Sequence, residues 1–78
     1  MRSDHPIDAL SAREIEVLEM AAQGLTNTRI AADLGVTIHA VKFHLASIYR
    51  KLHVGNRTEA AAVLFRVKSA DAQTEVAS

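Results

Sequence analysis

The sequence contains no cysteine, few aromatic residues and no long apolar run. Because cysteine is absent, the chain has neither a disulfide framework nor a thiolate metal site. No apolar stretch approaches the roughly 18 residues that a membrane-spanning helix needs. Residues 1–6 lack the apolar segment of a signal peptide. We therefore expect a cytoplasmic protein with no membrane-bound part.

The scarcity of aromatic residues means that the core must be built from aliphatic side chains. Only Phe43, Tyr49 and Phe65 are aromatic, and 14 of the hydrophobic residues, which make up 49% of the chain, are alanine. This composition favours close contacts between helices, and 78 residues suffice for one small domain. The composition is therefore typical of an all-α fold, a compact helical bundle.

The chain has no net charge, but its charges are unevenly distributed. Residues 26–57 contain five basic residues and one acidic residue, whereas residues 1–25 contain two basic and five acidic ones. Residues 58–78 contain two basic and three acidic residues. Because a local patch matters for DNA more than the total, this distribution permits nucleic-acid binding.

Helix start and stop signals divide the chain into four helices. Ser11 and Glu14 have the spacing of a capping box at the start of the first helix, and Gly24 follows its end. Gly55 is expected to end the third helix. The predicted helices are about 11–23, 27–34, 38–53 and 57–67.

The two ends of the chain show no core-forming pattern. The sequence predicts a domain at 9–67 between a flexible N-terminal segment at 1–8 and a flexible C-terminal tail at 68–78. Asn56 and Glu59 have the spacing of a second capping box and open the fourth helix.

The second and third helices are joined by a three-residue turn. Gly35 suits the left-handed conformation that ends a helix, and Thr37 can cap the next helix through its hydroxyl. The small Ala31 allows the helices to cross closely, and Val41 then packs the second of them onto the first. This spacing predicts a helix-turn-helix, which places its second helix in the DNA major groove.

The third helix has an apolar side and an outward side. At 100° per residue, its apolar stripe consists of Val41, Leu45, Ile48 and Leu52. The opposite side carries His39, Phe43, Ala46 and Arg50, with Lys42 and Ser47 on its flanks.

The outward side of the third helix is the predicted DNA-contacting surface. Lys42 can donate to guanine O6 and N7, and Phe43 and Ala46 can contact thymine methyl groups. The predicted base-contacting residues are Lys42, Phe43, Ala46 and His39. The predicted phosphate-contacting residues, which set register rather than sequence, are Thr26, Asn27, Thr37, Arg50, Lys51 and Arg29.

Six stretches of the sequence form a combined pattern: Leu10-Ser11-x-Arg13-Glu14-x-Glu16-Val17-Leu18, Gly24-Leu25-Thr26-Asn27, Ile30-Ala31-x-x-Leu34, Val41-Lys42-x-His44, Lys51-Leu52-x-Val54 and Asn56-Arg57-Thr58-Glu59-Ala60. This pattern resembles the LuxR-type (LuxR/FixJ) helix-turn-helix domain of bacterial transcription regulators, in register and without gaps from residue 10 to about residue 66. The resemblance implies a four-helix DNA-binding domain whose fourth helix often serves as a dimer contact.

Two positions depart from the pattern of the family. The family usually has Glu at the position of Arg29, where it completes a capping box with Thr26. Arg29 instead places a positive charge where a phosphate can approach. The family often has Thr at the position of Ala40, so the resemblance implies that one backbone contact is missing here.

Several side chains have a structural interpretation that we prefer. His44 lies on the shoulder of the apolar stripe and is expected to pack. Arg57 can bind a phosphate or pair with Glu14 or Glu16, and we favour the pairing. The remaining structural set is an expected ion-pair cluster of Arg13, Glu14 and Glu16.

The fourth helix has two apolar faces, and the sequence does not show which of them is surplus. One face consists of Ala60, Val63, Leu64 and Val67, and the other consists of Ala61 and Phe65. A small domain needs only one of them for its core, so the surplus face suggests a homodimer on DNA, with two third helices about 34 Å apart.

Sequence-specific binding of double-stranded DNA for transcriptional regulation is the predicted function. The alternative is a helix-turn-helix reused as a docking module for RNA polymerase or another protein. An enzyme is not expected, because no catalytic triad, glycine-rich phosphate loop or metal-binding spacing is present. We accordingly expect no cofactor, no metal and no small-molecule site, and a location at the bacterial nucleoid.

Overall fold

The structure, a computed structural model, describes the backbone of residues 6–77 and the side chains of residues 7–70. Within that range the chain forms one turn of 3₁₀-helix and four α-helices. The elements are the 3₁₀-helix Pro6–Ala9, α1 Ala12–Ala22, α2 Asn27–Leu34, α3 Ile38–Leu52 and α4 Arg57–Ala77. The predicted all-α, four-helix fold is confirmed, and the bounds of the first three helices agree with the prediction to within one residue.

The start of α1 is the predicted capping box. The Ser11 hydroxyl accepts a hydrogen bond from the Glu14 N–H at 3.1 Å, and the Ser11 N–H donates to Glu14 Oε1 at 2.9 Å. Gly24 follows α1 with φ +90°, a conformation that glycine adopts without a Cβ penalty. These local interactions fix where α1 begins and ends.

The turn between α2 and α3 also follows the prediction. Gly35 adopts the left-handed conformation with φ +70°, and the Val36 N–H donates to the Ala31 carbonyl at 3.0 Å. The Thr37 hydroxyl then caps α3 by accepting from the Ala40 N–H at 3.0 Å. The turn therefore supplies hydrogen-bond partners for carbonyls at the end of α2 and N–H groups at the start of α3 that have no partner within their own helix.

The end of α3 differs from the prediction. His53, rather than Gly55, adopts the left-handed conformation, with φ +59° and ψ +44°. The Asn56 side chain caps α4 by accepting from the Glu59 N–H at 2.9 Å, as expected. The reciprocal half of the box is displaced by one residue, because Glu59 Oε1 accepts from the Gly55 N–H at 2.6 Å.

One core joins all four α-helices. Its buried hydrophobic residues are Leu10, Val17, Leu18, Ala21, Ile30, Ala31, Val41, Leu45, Ile48, Leu52, Ala60, Val63 and Leu64. The half-buried Ile7 packs against this core from the 3₁₀-helix. Residues 6–8 of the segment that was expected to be flexible lie in this 3₁₀-helix, while residues 1–5 lie outside the described residues.

Helix α4 is longer than expected. The sequence predicted an end near Val67, but the helical backbone continues to Ala77. The expectation rested on the loss of an apolar pattern, and residues 68–77 contain neither glycine nor proline to end a helix. The predicted tail therefore continues the helix as far as residue 77, and the side chains of 71–78 lie outside the described part of the chain.

In the part of the chain that the structure describes, no helix combines the length and the apolar character that crossing a membrane requires.

Candidate nucleic-acid interface

One side of α3 is exposed over most of its length. We call it the exposed α3 face, and its members are Ile38, His39, Lys42, Phe43, Ala46 and Arg50. It includes all four residues predicted to contact bases, so the structure brings these side chains together on one surface. The opposite side of α3 is buried against the core through Val41, Leu45 and Ile48.

Phe43 is the largest apolar side chain on this face. It is 69% exposed, which agrees with the predicted outward orientation. Its ring meets the ring of the half-buried His44 edge to face, with centroids 6.1 Å apart and an interplanar angle of 67°. His44 is thus half-buried beside an exposed aromatic ring.

Lys42 and Arg50 are the cations of the exposed α3 face. Both are exposed, and neither forms an ion pair or a side-chain hydrogen bond with residues 7–70. Arg29, on α2, differs from them because its Nε lies 3.1 Å from Oδ1 of Asp33 one helical turn away. Lys42 and Arg50 therefore present uncompensated positive charge to an approaching anion.

Thr26 and Thr37, two of the predicted phosphate contacts, are exposed N-caps. The Thr26 hydroxyl accepts from the Arg29 N–H at 3.1 Å, and the Thr37 hydroxyl caps α3. Because a hydroxyl that accepts a hydrogen bond keeps its own O–H, each threonine retains a donor for a phosphate oxygen.

Ser47 does not flank the exposed face as predicted. It is only 6% exposed, and its hydroxyl donates to Oε2 of Glu14 at 2.7 Å. The helical wheel placed Ser47 away from the apolar stripe, but α1 covers that side of α3. The expected position of Ser47 is therefore wrong for a tertiary reason.

Glu14 is a buried carboxylate that is bonded on three sides. Besides Ser47, it accepts from the Ser11 N–H and from Lys51 Nζ, each at 2.9 Å. Burial alone would raise the pKa of Glu14, but these hydrogen bonds and the charge of Lys51 outweigh it and lower the pKa from 4.5 to about 2. Glu14 is therefore ionised at neutral pH.

Lys51, which the sequence placed among the phosphate contacts, is the cation of this cluster. Its side chain is 35% exposed, and its ammonium is bound to Glu14 across the α1–α3 contact. Glu14 does not take part in the expected ion-pair cluster of Arg13, Glu14 and Glu16, since among the described residues Arg13 pairs with Glu16, at 3.6 Å, and Glu14 pairs with Lys51.

Arg57 has a structural role, but its expected partners were wrong. Its Nη1 donates to the Leu25 carbonyl at 2.6 Å, and its Nη2 donates to Oδ1 of Asn27. The guanidinium therefore ties the start of α4 to the start of α2. Asn27, a predicted phosphate contact, uses its amide oxygen for this bond, which leaves its NH₂ group as the donor for other partners.

Ile38 is the member of the exposed α3 face that the sequence argument missed. It is the first residue of α3 and is 42% exposed. The signal was its position directly after the cap, because no preceding turn of the same helix covers a side chain there.

The two apolar faces of α4 are distinguished by the structure. Ala60, Val63 and Leu64 are buried in the core, whereas Phe65 is 70% exposed. Phe65 lies beside an open groove of about 490 Å³ between α1 and α4. The groove is lined by Glu19, Ala22, Gln23, Thr58, Ala61, Ala62, Leu64, Phe65 and Lys68.

Among the residues that the structure describes, no three histidine or acidic side chains are grouped closely enough to hold a metal ion.

A short helix, a tight glycine turn and a second helix with an exposed, cationic face define a helix-turn-helix domain. The chain belongs to the family described as "Bacterial regulatory proteins, luxR family", whose model matches residues 8–64. The resemblance inferred from the sequence motifs is thereby confirmed. Residues 8–64 are thus a DNA-binding domain of the type found in these transcription regulators rather than an enzyme domain.

Curated relatives support this assignment. The chain is 47% identical over 58 residues to the probable transcriptional regulatory protein SgaR of Hyphomicrobium methylovorum, covering 74% of this chain and 28% of that protein. It is 43% identical over 61 residues to the transcriptional regulatory protein LiaR of Bacillus subtilis, covering 78% and 29% respectively. The chain thus spans less than a third of the length of these relatives.

Solved structures share both fold and sequence with the chain. One is the response regulator ChrA of a heme-sensing two-component system, with a TM-score of 0.73 and 48% identity over 77% of this chain and 30% of that one. Another is the DNA-binding domain of the response regulator ComA, complexed with the anti-activator RapF. It has a TM-score of 0.69 and 38% identity, and the match covers 70% of this chain and 95% of that one.

Proposed function

We propose that this domain binds specific sequences in double-stranded DNA and thereby regulates transcription, with α3 inserted in the major groove. The observation that carries the proposal is the exposed α3 face, on which two unpaired cations flank exposed apolar side chains. A helix with these properties fits the width of the major groove, where base edges present distinct donors, acceptors and methyl groups.

Four residues of this face are proposed to contact bases. Lys42 donates to guanine O6 and N7, and Phe43 and Ala46 contact thymine methyl groups, which reward apolar surface. His39 lies in the first turn of α3, the end of a recognition helix that most often meets base edges. The support for these assignments is the exposure of all four side chains and, for Lys42 and His39, the absence of a hydrogen-bond or ion-pair partner among residues 7–70.

The contacts to the DNA backbone are proposed to come from residues in and around α3. Arg50 supplies a free cation, and Thr26 and Thr37 supply hydroxyl donors at the ends of the two helices of the motif. Arg29 and Asn27 contribute from α2, where Asp33 and Arg57 respectively orient their side chains. Phosphate contacts of this kind fix the register of the protein on the duplex.

The protein is further proposed to bind DNA as a homodimer through α4. The support for a dimer is the second apolar face of α4, formed by Ala61 and Phe65, which we call the Phe65 face. Phe65 is exposed and is not part of the core. A two-fold dimer repeats one surface patch on both subunits and lets two α3 helices enter successive major grooves about 34 Å apart. The corresponding site of action is the nucleoid in the bacterial cytoplasm.

The deciding experiment is a selection from random duplex DNA at about 100 mM salt, followed by sequencing of the retained duplexes. The proposal expects an enriched motif, and inverted half-sites about 10 base pairs apart for the dimer. The selected duplex then serves to compare Lys42→Ala with Arg66→Ala, a matched loss of one exposed cation on α4.

Lys42→Ala is expected to weaken binding to the selected duplex by about 1–3 kcal/mol, while Arg66→Ala leaves it nearly unchanged. Circular dichroism should show native helix content for both variants. Equal affinities of the Lys42 variant and the wild-type protein would contradict the base contact.

A second candidate function is docking to another protein, such as RNA polymerase. The observation that favours it is the α1–α4 groove with the exposed Phe65 at its edge. The solved complex of the ComA DNA-binding domain with RapF concerns a domain of the same fold. Failure of the selection to retain any DNA, with a stable protein complex formed instead, would favour this function.

A further inference from the structure

Glu14 contacts the recognition helix at two positions one turn apart. Oε2 accepts from the Ser47 hydroxyl at 2.7 Å, and Oε1 lies 2.9 Å from Nζ of Lys51. The carboxylate is 6% exposed, so its position is fixed by the packing of α1 against α3. Its place in the capping box fixes it further, through the hydrogen bond from the Ser11 N–H.

The neighbouring cation Arg50 has no carboxylate partner among residues 7–70. Arg50 and Lys51 are adjacent in α3, yet Arg50 belongs to the exposed α3 face and Lys51 points toward α1. An ion pair whose charged atoms lie 2.9 Å apart has no net charge, so it attracts a phosphate more weakly than an unpaired guanidinium does. Two adjacent cations therefore differ in what they offer to the DNA backbone.

We propose that Glu14 is a positioning residue, which withholds the charge of Lys51 from the DNA backbone and so limits the phosphate-dependent affinity of the domain for DNA of any sequence. The proposal rests on the proposed DNA-binding function. Non-specific binding is supplied almost wholly by cations that neutralise phosphates, whereas the base contacts of the exposed α3 face add affinity only at the cognate site. Removing one cation from the backbone contact therefore lowers the affinity for cognate and for non-cognate DNA by a similar factor.

The proposal makes Lys51 part of the scaffold rather than a phosphate contact. Each neutralised phosphate contributes a slope of about 0.9 to the fall of log affinity with log salt, which is about a 3.5-fold loss of affinity between 50 and 200 mM salt. The size of the slope therefore measures how many cations of the protein contact the DNA backbone. This count separates a charge effect from a loss of folding.

The test compares binding of the wild-type domain and three variants to two 20-base-pair duplexes, one carrying the selected site and one of random sequence, from 50 to 200 mM salt. The variants are Lys51→Gln, the adjacent matched control Arg50→Gln, and Glu14→Gln. We expect Lys51→Gln to change the slope less than Arg50→Gln, which should reduce it by about 0.9. We expect Glu14→Gln to increase the slope by about 0.9 and to strengthen binding to both duplexes by a similar factor.

A slope for Lys51→Gln reduced as much as that for Arg50→Gln would overturn the proposal. So would a Glu14→Gln protein that is folded by circular dichroism and binds both duplexes more weakly without a steeper slope, since a purely structural role predicts that result. If Glu14→Gln does not fold, the comparison of Lys51→Gln with Arg50→Gln decides alone. Wild-type protein that binds neither duplex would instead show that the proposed function itself fails.

Discussion

The hydroxyl of Ser47 donates to Oε2 of Glu14 at 2.7 Å and thereby joins α3 to α1 across 33 positions of sequence. The same carboxylate closes the capping box of α1 and binds the ammonium of Lys51. One acidic side chain thus connects the start of the first helix to the recognition helix. The orientation of the exposed α3 face depends on this contact as well as on the apolar core.

The pKa of Glu14 makes the stability of the domain sensitive to acid. In the folded protein this pKa is about 2, below its ordinary value of 4.5. The stability that ionised Glu14 contributes to the fold is therefore fully present above pH 4.5 and is lost as the pH falls from 4.5 through 2. Urea unfolding at pH 7, 4 and 3 should show a steeper fall in the free energy of unfolding for the wild-type protein than for Glu14→Gln.

The control for this prediction is Glu16→Gln, two residues further along α1. Glu16 is exposed and only pairs with Arg13 at 3.6 Å, so its removal should change stability by less than about 1 kcal/mol and leave the acid dependence in place. Equal pH dependence in the Glu14 variant and the wild-type protein would contradict the assignment.

Arg57 is expected to be important for stability because it crosses from α4 to the start of α2. Arg57→Ala removes the donors to the Leu25 carbonyl and to Asn27 and should lower the free energy of unfolding by about 1.5–3 kcal/mol. Thermal unfolding followed by circular dichroism measures this loss. Arg13→Ala, which removes only an exposed ion pair, should cost less than about 1 kcal/mol, and similar losses in the two variants would refute the prediction.

His53 is a non-glycine residue in the left-handed conformation, with φ +59°. This conformation costs an L-residue about 1–2 kcal/mol. Glycine avoids this cost, but part of the gain in stability is lost because glycine gives the unfolded chain more conformational freedom. The order of stability should therefore be His53→Gly first, then the wild-type protein, then His53→Val, whose branched side chain suits this conformation least. Ala32→Gly, inside α2, should be destabilised by about 1 kcal/mol, so a loss of the same size in His53→Gly would contradict the argument.

Much of the motif could be predicted because its signals are local. Gly35 and Thr37 stand next to the turn that they form, and the outward position of Phe43 follows from the period of one helix. The burial of Ser47 could not be found in this way, because a helical wheel does not show which neighbour covers its polar side. The partner of Arg57 was wrong for the same reason, since Leu25 and Asn27 meet it only through tertiary packing.

Helix ends were predicted well only where a residue with a distinct conformational preference marks them. Gly35 ended α2 as expected, but Gly55 did not end α3, because His53 accepted the left-handed conformation two residues earlier. Residues 68–77 show the converse case. A stretch without a core pattern was expected to lie outside the helix, yet nothing in it stops the helical backbone from continuing.

The exposed Phe65 allows the proposed dimer to be separated from the stability of the monomer. Because its side chain is 70% exposed, Phe65→Ala should change the free energy of unfolding by less than about 0.5 kcal/mol. The neighbouring Leu64 is 6% exposed, and Leu64→Ala should cost about 2–5 kcal/mol.

If the Phe65 face is the dimer contact, Phe65→Ala should abolish cooperative binding to two inverted half-sites while binding to a single half-site stays intact. Band-shift titrations on one-site and two-site duplexes measure this difference, and sedimentation velocity reports the dimer directly. Retained cooperativity in a folded Phe65→Ala protein would place the dimer contact elsewhere on the domain.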